Sequence, residues 1–292
     1  MNAAPAAGPV AESNAAQIAE WNGTMGQRWA TLQQETEGIV AAFGVAALAA
    51  AAAQPGERVL DIGCGCGDTS IALARAVGAA GAVLGVDVSQ PMLAVARERA
   101  AREQLPQLAF SDADASAAEL PANTDLLFSR FGVMFFSQPV PAFAHMRRAL
   151  RAGGRCVFVC WRTPRDNSWT MTPLLAARAA VGITPPPADP LAPGPFALAD
   201  EARLRGILAE AGFSGVEVQR FDAAVTLGPT PRAAAENALR VGPTSRFLTE
   251  VGEQHRSTIR DAVEAVFAPL AAAGGQVRLN GSTWIVSASN GA

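Results

Sequence analysis

The chain has 292 residues, half of them hydrophobic and 17% charged, with a formal net charge of −3. That length buries a full core as one elaborated domain or two modest ones. The acidic balance excludes the broad basic face selected by nucleic acid or an anionic membrane. All 23 Lys/Arg positions are arginine and tyrosine is absent, which removes Schiff-base chemistry, a P-loop lysine and any catalytic lysine or tyrosine.

In chain order, residues 1–15 read as a disordered tail. No basic residue precedes the small apolar run of MNAAPAAGPVAES, so a secretory leader is not expected. Residues 16–54 read as an N-terminal helical lid, with WNGTMGQRW (21–29) as a turn between two helices. The alanine-rich run at 41–53 is too short and too weakly apolar to span a bilayer. The chain therefore reads as cytoplasmic, without membrane insertion.

From 55 to 162 strand and helix alternate. The strands are RVLDIG (58–63), GAVLGVD (81–87), LAFSDAD (108–114), TDLLFSR (124–130) and CVFVCW (156–161). Between them lie helices from Asp68 through Val77, from Ser89-Gln90-Pro91 to about Gln104, and over PAFAHMRRAL (141–150). Near-continuous apolar strands separated by helices predict an α/β sandwich, with a parallel sheet covered on both faces. A proline-rich cap insertion follows at 163–199. The core resumes at 200–230 with a helix (200–213) and a sixth strand (215–225). Two helical stretches, 231–240 and 254–273, form a second cap over 231–275. Residues 276–292 read as a hairpin turning at Asn280-Gly281.

The first strand exits into LDIGCGCGDT (60–69). Glycines there let a ligand approach the backbone and leave N–H groups for its oxygens. Two adenosine-type ligands suit such a loop, and charge separates them. Asp61 would repel a dinucleotide's pyrophosphate, whereas S-adenosylmethionine brings an ammonium and a sulfonium for the acid and a carboxylate for the amides. GCGCG also lacks the two-residue gap of the dinucleotide fingerprint. Asp87 ends the next strand, where a carboxylate can take both ribose hydroxyls.

LDIGCGCGDTSIALA, GVDVSQPMLAVARERA, FSDADA, FSRFGVMFF and LRAGGRCVFVCWR together resemble class I methyltransferases. Within these the chain is most similar to the ubiquinone/menaquinone C-methylase-like small-molecule group, over 55–162 and more loosely to about 225. The resemblance implies a Rossmann-like seven-stranded sheet with an antiparallel last strand, and S-adenosyl-L-methionine as cofactor. It also implies Asp61, Gly63 and Gly65 at the methionine end, Asp87 on the ribose and Val88 packed on adenine. Asp114 and Ala115 would read the adenine edge, and Ser129 would present its backbone to the methionine moiety.

The remaining candidates lie near strand exits. Arg130 and Arg162 could grip a substrate carboxylate in fork geometry, or sit in internal ion pairs. Trp161 stands beside Arg162, and Asp166, Asn167 and Trp169 follow in a loop expected to cross the cavity. Trp29 is placed to close over the methionine end. No residue is an evident base; Asp166, Arg162 and Arg130 are the catalytic candidates. FGVMFF (131–136) reads as the start of a helix packed under the site, and His145 as an outer-face helix residue.

Cys156 and Cys160 stand roughly 13 Å apart on one strand, too far for one zinc with bonds of about 2.3 Å. Cys64 and Cys66 read as small side chains in a tight turn, so no metal is expected. Without lysine, and without an N-P-P-[YFW] or D-P-P-Y motif, the acceptor reads as a small, largely apolar organic molecule methylated on carbon or oxygen by direct displacement. The rivals are a non-catalytic S-adenosylmethionine-binding module and an NAD-dependent oxidoreductase.

Overall fold

The computed structural model describes residues 14–183, 189–271 and 273–291. Most of the expected tail and part of the proline cluster lie outside these ranges. Seven strands form one sheet: β1 (Arg58–Ile62), β2 (Ala82–Asp87), β3 (Leu108–Asp112), β4 (Thr124–Arg130), β5 (Leu150–Trp161), β6 (Ser214–Gly228) and β7 (Val277–Ser289). Their order is β3-β2-β1-β4-β5-β7-β6. Strands β1 to β5 run parallel, and β7 lies antiparallel between β5 and β6.

The helices are α1 (Ala15–Asn22), α2 (Thr24–Thr31), α3 (Gln33–Ala51), α4 (Asp68–Val77), α5 (Gln90–Glu103), α6 (Pro139–Arg147), α7 (Ser168–Val181), α8 (Glu201–Glu210), α9 (Pro231–Ala238), α10 (Pro243–Val251) and α11 (Arg256–Phe267). They make a Rossmann-like three-layer sandwich with helical caps after β5 and β6. The central strands lack polar alternation because both faces are covered: Leu126, Leu127 and Phe128 of β4 and Val157 to Cys160 of β5 are closed to solvent.

Several elements differ from the local reading. The C-terminal segment is a single strand, not a hairpin; Asn280-Gly281 continues through it, paired with Ala224 and Ala223 of β6. Glycine is needed there for space: a Cβ on Gly281 would lie 2.6 Å from Phe43 Cζ and 2.9 Å from Val225 Cγ2. WNGTMGQRW is almost wholly helical, interrupted only at Gly23 between α1 and α2. Helix α3 is core rather than lid, because Val40, Phe43, Ala47 and Ala51 are buried as it packs on β5, β6 and β7. β5 begins at Leu150, ahead of the expected strand start at Cys156, and a register shift separates its first residue from the rest of its pairing with β4. The helix α10 stands where none was predicted. Asn14 and Ala15, assigned to the tail, are a buried anchor and the first residue of α1.

Candidate active site

The strand order reverses between β1 and β4, so the ends of these parallel strands leave a crevice at one edge of the sheet, where ligands of such sheets bind. A cavity opens there. Its wall is built from the glycine loop, the ends of β2 and β4, the loop after β3, helices α1 to α3 and the cap.

Gly63 and Gly65 both line it with positive φ, +67° and +54°. A Cβ on Gly63 would stand 2.6 Å from Gly132 Cα, so only glycine lets the loop after β1 meet the loop after β4. Behind this wall Asp61 is wholly buried. Its Oδ2 accepts hydrogen bonds from the hydroxyls of Thr69 (2.7 Å) and Ser70 (2.6 Å). Its Oδ1 has no partner among the described residues. Burial raises its pKa from 3.8 to about 6, against the pull of the two hydroxyls and Arg130. Asp87 lies in the wall itself; Oδ1 accepts from Ser89 N and Oδ2 from Gly65 N, each at 2.8 Å. Burial moves its pKa upward too. The Gly65 amide is thus already committed to Asp87, not left free for a ligand carboxylate.

Val88, Asp114 and Ala115 line the cavity. Asp114 also caps the following turn, accepting from Ser116 N at 2.9 Å, and is held by Asn14 Nδ2 at 3.1 and 3.2 Å. Ser129 is not in the wall: its buried hydroxyl donates to the Ile62 carbonyl (2.7 Å) and accepts from Gly132 N (3.2 Å), stitching β4 to β1. Trp29, Trp161 and Trp169 all reach the cavity.

The arginines take the internal-pair alternative. Arg130 lines the cavity, yet its guanidinium is engaged by both Glu37 oxygens at 2.8 Å. Arg162 is outside the wall, paired with Asp166 (3.3 Å) and Asp222 (3.7 Å) and stacked over Trp284. Asp166 and Arg162 thus occupy one another, away from the cavity. Asn167 is a joint between elements: buried, it donates to the carbonyls of Arg162, Thr163 and Ser282 and accepts from Ser282 N. FGVMFF forms a short 3-10 turn, Val133–Phe135, rather than a helix start, and Phe131, Phe135 and Phe136 face the cavity. His145 Nε2 meets the Ala118 carbonyl at 2.8 Å, outside the wall. The cysteines are buried thiols whose pKa burial pushes up, that of Cys66 to about 12.

The sequence points to a lid and caps but to none of their lining side chains apart from the tryptophans Trp29 and Trp169. Asn14, Gln17, Ile18 and Trp21 line the cavity from the N-terminal side, and Phe196, Val241 and Pro243 line it from the cap. Trp21, edge-on to Trp29 and Phe135 at 6.0 and 5.2 Å, carried the one visible signal, an aromatic beside a turn. Among the lining residues described, the ionisable side chains are Asp87, Asp114 and Arg130.

This geometry suits S-adenosylmethionine. Behind the glycine turn lies a buried carboxylate oxygen with no partner among the described residues, the turn's two glycines leave no room for a Cβ, and a second carboxylate lines the cavity from the next strand. The sequence of a methyltransferase-domain family matches residues 59–154, from β1 into β5. That part of the chain is a class I S-adenosylmethionine-dependent methyltransferase domain, and S-adenosylmethionine is its cofactor.

The chain is related to several small-molecule and quinone methyltransferases. It is 38% identical over 104 residues to an aklanonic acid methyltransferase of a Streptomyces species, covering 35% of this chain and 47% of that protein. It is 34% identical over 116 residues to a ubiquinone/menaquinone biosynthesis C-methyltransferase of Teredinibacter turnerae, covering 39% and 47%. The chain thus spans about half the length of each. A longer match, 29% identical, covers 76% of this chain and 83% of an uncharacterized protein of Mycobacterium tuberculosis. Among solved structures, a phosphoethanolamine N-methyltransferase of Haemonchus contortus shares the fold (TM-score 0.53, 20% identity, 86% of this chain and 53% of that one).

Proposed function

We propose that the protein transfers the methyl group of S-adenosylmethionine by direct displacement to a small, largely apolar organic acceptor, on carbon or oxygen. Within that class we place the acceptor among quinone-type precursors, the group named by its ubiquinone/menaquinone relatives. The observation that carries this is the pairing of an unsatisfied buried Asp61 oxygen with the Asp87 carboxylate one strand away, across a bare glycine turn.

When bound, the cofactor supplies a methyl group on a sulfonium, an already activated leaving group. Asp61, Gly63 and Gly65 would hold the methionine end, and Asp87, pinned by two amides, would keep a lone pair on each oxygen for the ribose hydroxyls. Val88, Ala115 and Asp114 would receive adenine, and Trp29 would cover the opposite end. Ser129 holds the crevice at its width from behind. The aromatic wall excludes water and fixes the acceptor's approach, which is the main contribution a protein can make to such a displacement. Each ionisable group in the wall already has a partner or a cofactor role, so the acceptor supplies its own nucleophile and no base is assigned.

Calorimetry with S-adenosylhomocysteine and NAD, followed by labelled-methyl transfer to phenols, quinone precursors and carboxylic acids, tests the reading. S-adenosylhomocysteine alone should bind, and Asp87→Ala should weaken it by about 100-fold or more, as expected for losing hydrogen bonds to a charged group. Indifference of the wild type to that ligand, or of its affinity to Asp87→Ala, would sink the proposal.

A further inference from the structure

Asn14 stands immediately before α1, where an asparagine ordinarily caps its own helix by accepting from the first backbone N–H groups. Here it makes no such bond. Its side chain is 5% exposed and turns instead into the loops of the sheet. Oδ1 accepts from the N–H and the hydroxyl of Ser137 at 3.1 and 3.0 Å, in the loop after β4. Nδ2 donates to both oxygens of Asp114, at 3.2 and 3.1 Å, and to the Ser116 hydroxyl at 3.3 Å, in the loop after β3. One amide thus ties α1 and both loops into a single joint, and Asn14 and Asp114 both line the cavity.

The joint leaves Asp114 little freedom. Its Oδ1 accepts from Ser116 N and from Asn14, and its Oδ2 from Asn14. A carboxylate offers about four acceptor positions, so one remains, on Oδ2, for a donor in the cavity. An adenine amino group is such a donor. A 6-oxo purine brings an oxygen to the same place, where two acceptors meet with no proton to share.

We infer that Asn14 is a positioning residue for the base of the cofactor. It aims the last acceptor position of Asp114 at the adenine amino group, and so couples the docking of α1 to the identity of the base. This rests on the methyl-transfer reading and extends it to a residue outside the sheet. The far end of α1 supplies the contrast. Asn22 bonds the carbonyls of Ile18 and Val88 and the Gln90 N–H, and none of these contacts reaches Asp114. Losing Asn22 loosens the helix without freeing the acid, which separates closure of α1 from aim of Asp114. Helix α1 has no fully buried residue of its own, so neither change threatens the fold.

Calorimetry compares S-adenosylhomocysteine with S-inosylhomocysteine, the same molecule carrying a 6-oxo base. Wild type should prefer the adenosyl ligand about 100-fold, and Asn14→Ala should cut that preference about 10-fold, the range for a hydrogen bond to a charged group. Asn22→Ala should weaken both ligands by one factor and keep the preference. In an Asp114→Asn background, Asn14→Ala should remove no further preference, because the two side chains act as a unit. A preference that survives Asn14→Ala, an equal loss of it in Asn22→Ala, or a second loss on top of Asp114→Asn would overturn the inference. Failure of S-adenosylhomocysteine to bind wild type overturns the methyl-transfer reading and takes this one with it; equal binding of the two ligands by wild type overturns this one alone.

Discussion

Asp61 concentrates the chemistry of the site in one carboxyl group. Its pKa stands at about 6 when folded against 3.8 for an exposed aspartate, because burial outweighs the Thr69 and Ser70 hydroxyls. Between those values the folded chain holds a proton that the unfolded chain has lost. Stability of the ligand-free protein therefore falls as pH rises from 3.8 to 6, by about 3 kcal/mol, and the loss is complete above 6. Asp61→Asn should remove that portion of the pH dependence in urea melts at pH 4 and pH 7. A cationic ligand reverses the preference, since it favours the ionised carboxylate. Affinity for S-adenosylmethionine, which carries both an ammonium and a sulfonium, should rise from pH 5 to pH 7 in wild type and rise less in Asp61→Asn, where Asp87 alone still titrates upward of its ordinary range, measured by calorimetry.

At the scale of elements, β7 and α3 hold each other in place. Phe43 is buried edge-on to Phe131, Trp161 and Phe221, and its ring tip occupies the space above Gly281. Gly281→Ala should destabilise by about 1–3 kcal/mol through overpacking. Combined with Phe43→Leu, much of that cost should disappear, giving a coupling of about 1 kcal/mol in a double-mutant cycle of chemical melts. Asn280-Gly281 misled the local reading because the dipeptide favours a hairpin turn in isolation. In the molecule, a strand of 13 residues pairs along both edges, and the ladder outweighs a preference confined to two residues. The same competition bears on WNGTMGQRW: its Gly and Asn argue for a turn locally, yet α2 runs through Gly26, with Trp21 and Trp29 meeting edge-on at 6.0 Å.

Across the whole molecule the cavity is closed by segments far apart in sequence. Helix α1 is pinned at both ends, by Asn14 to Asp114 and by Asn22 to the Val88 carbonyl (2.7 Å) and Gln90 N (3.0 Å). It adds little to the core, and none of its own residues is fully buried. Helix α3, in contrast, fills the core beneath the cap. Removing residues 1–31 should leave a cooperative thermal transition with weakened S-adenosylhomocysteine binding. Removing residues 1–51 should abolish the transition, as read by circular dichroism.

From the residues alone, the parallel sheet, the glycine turn and the two acids at successive strand exits were legible. These are local properties: a strand's covered faces show in its own apolar run, and a tight turn shows in its own glycines. Tertiary structure decided which polar groups are free. Arg162 and Asp166 resemble site residues until Asp222, Trp284 and each other are seen to occupy them, and Arg130 is taken by Glu37 from a helix 93 positions away. It also decided that Trp169, one indole among five, lines two cavities while its donor meets no acceptor among the described residues. A side chain's partner is chosen by desolvation and packing across the fold, and no short stretch of sequence carries that information.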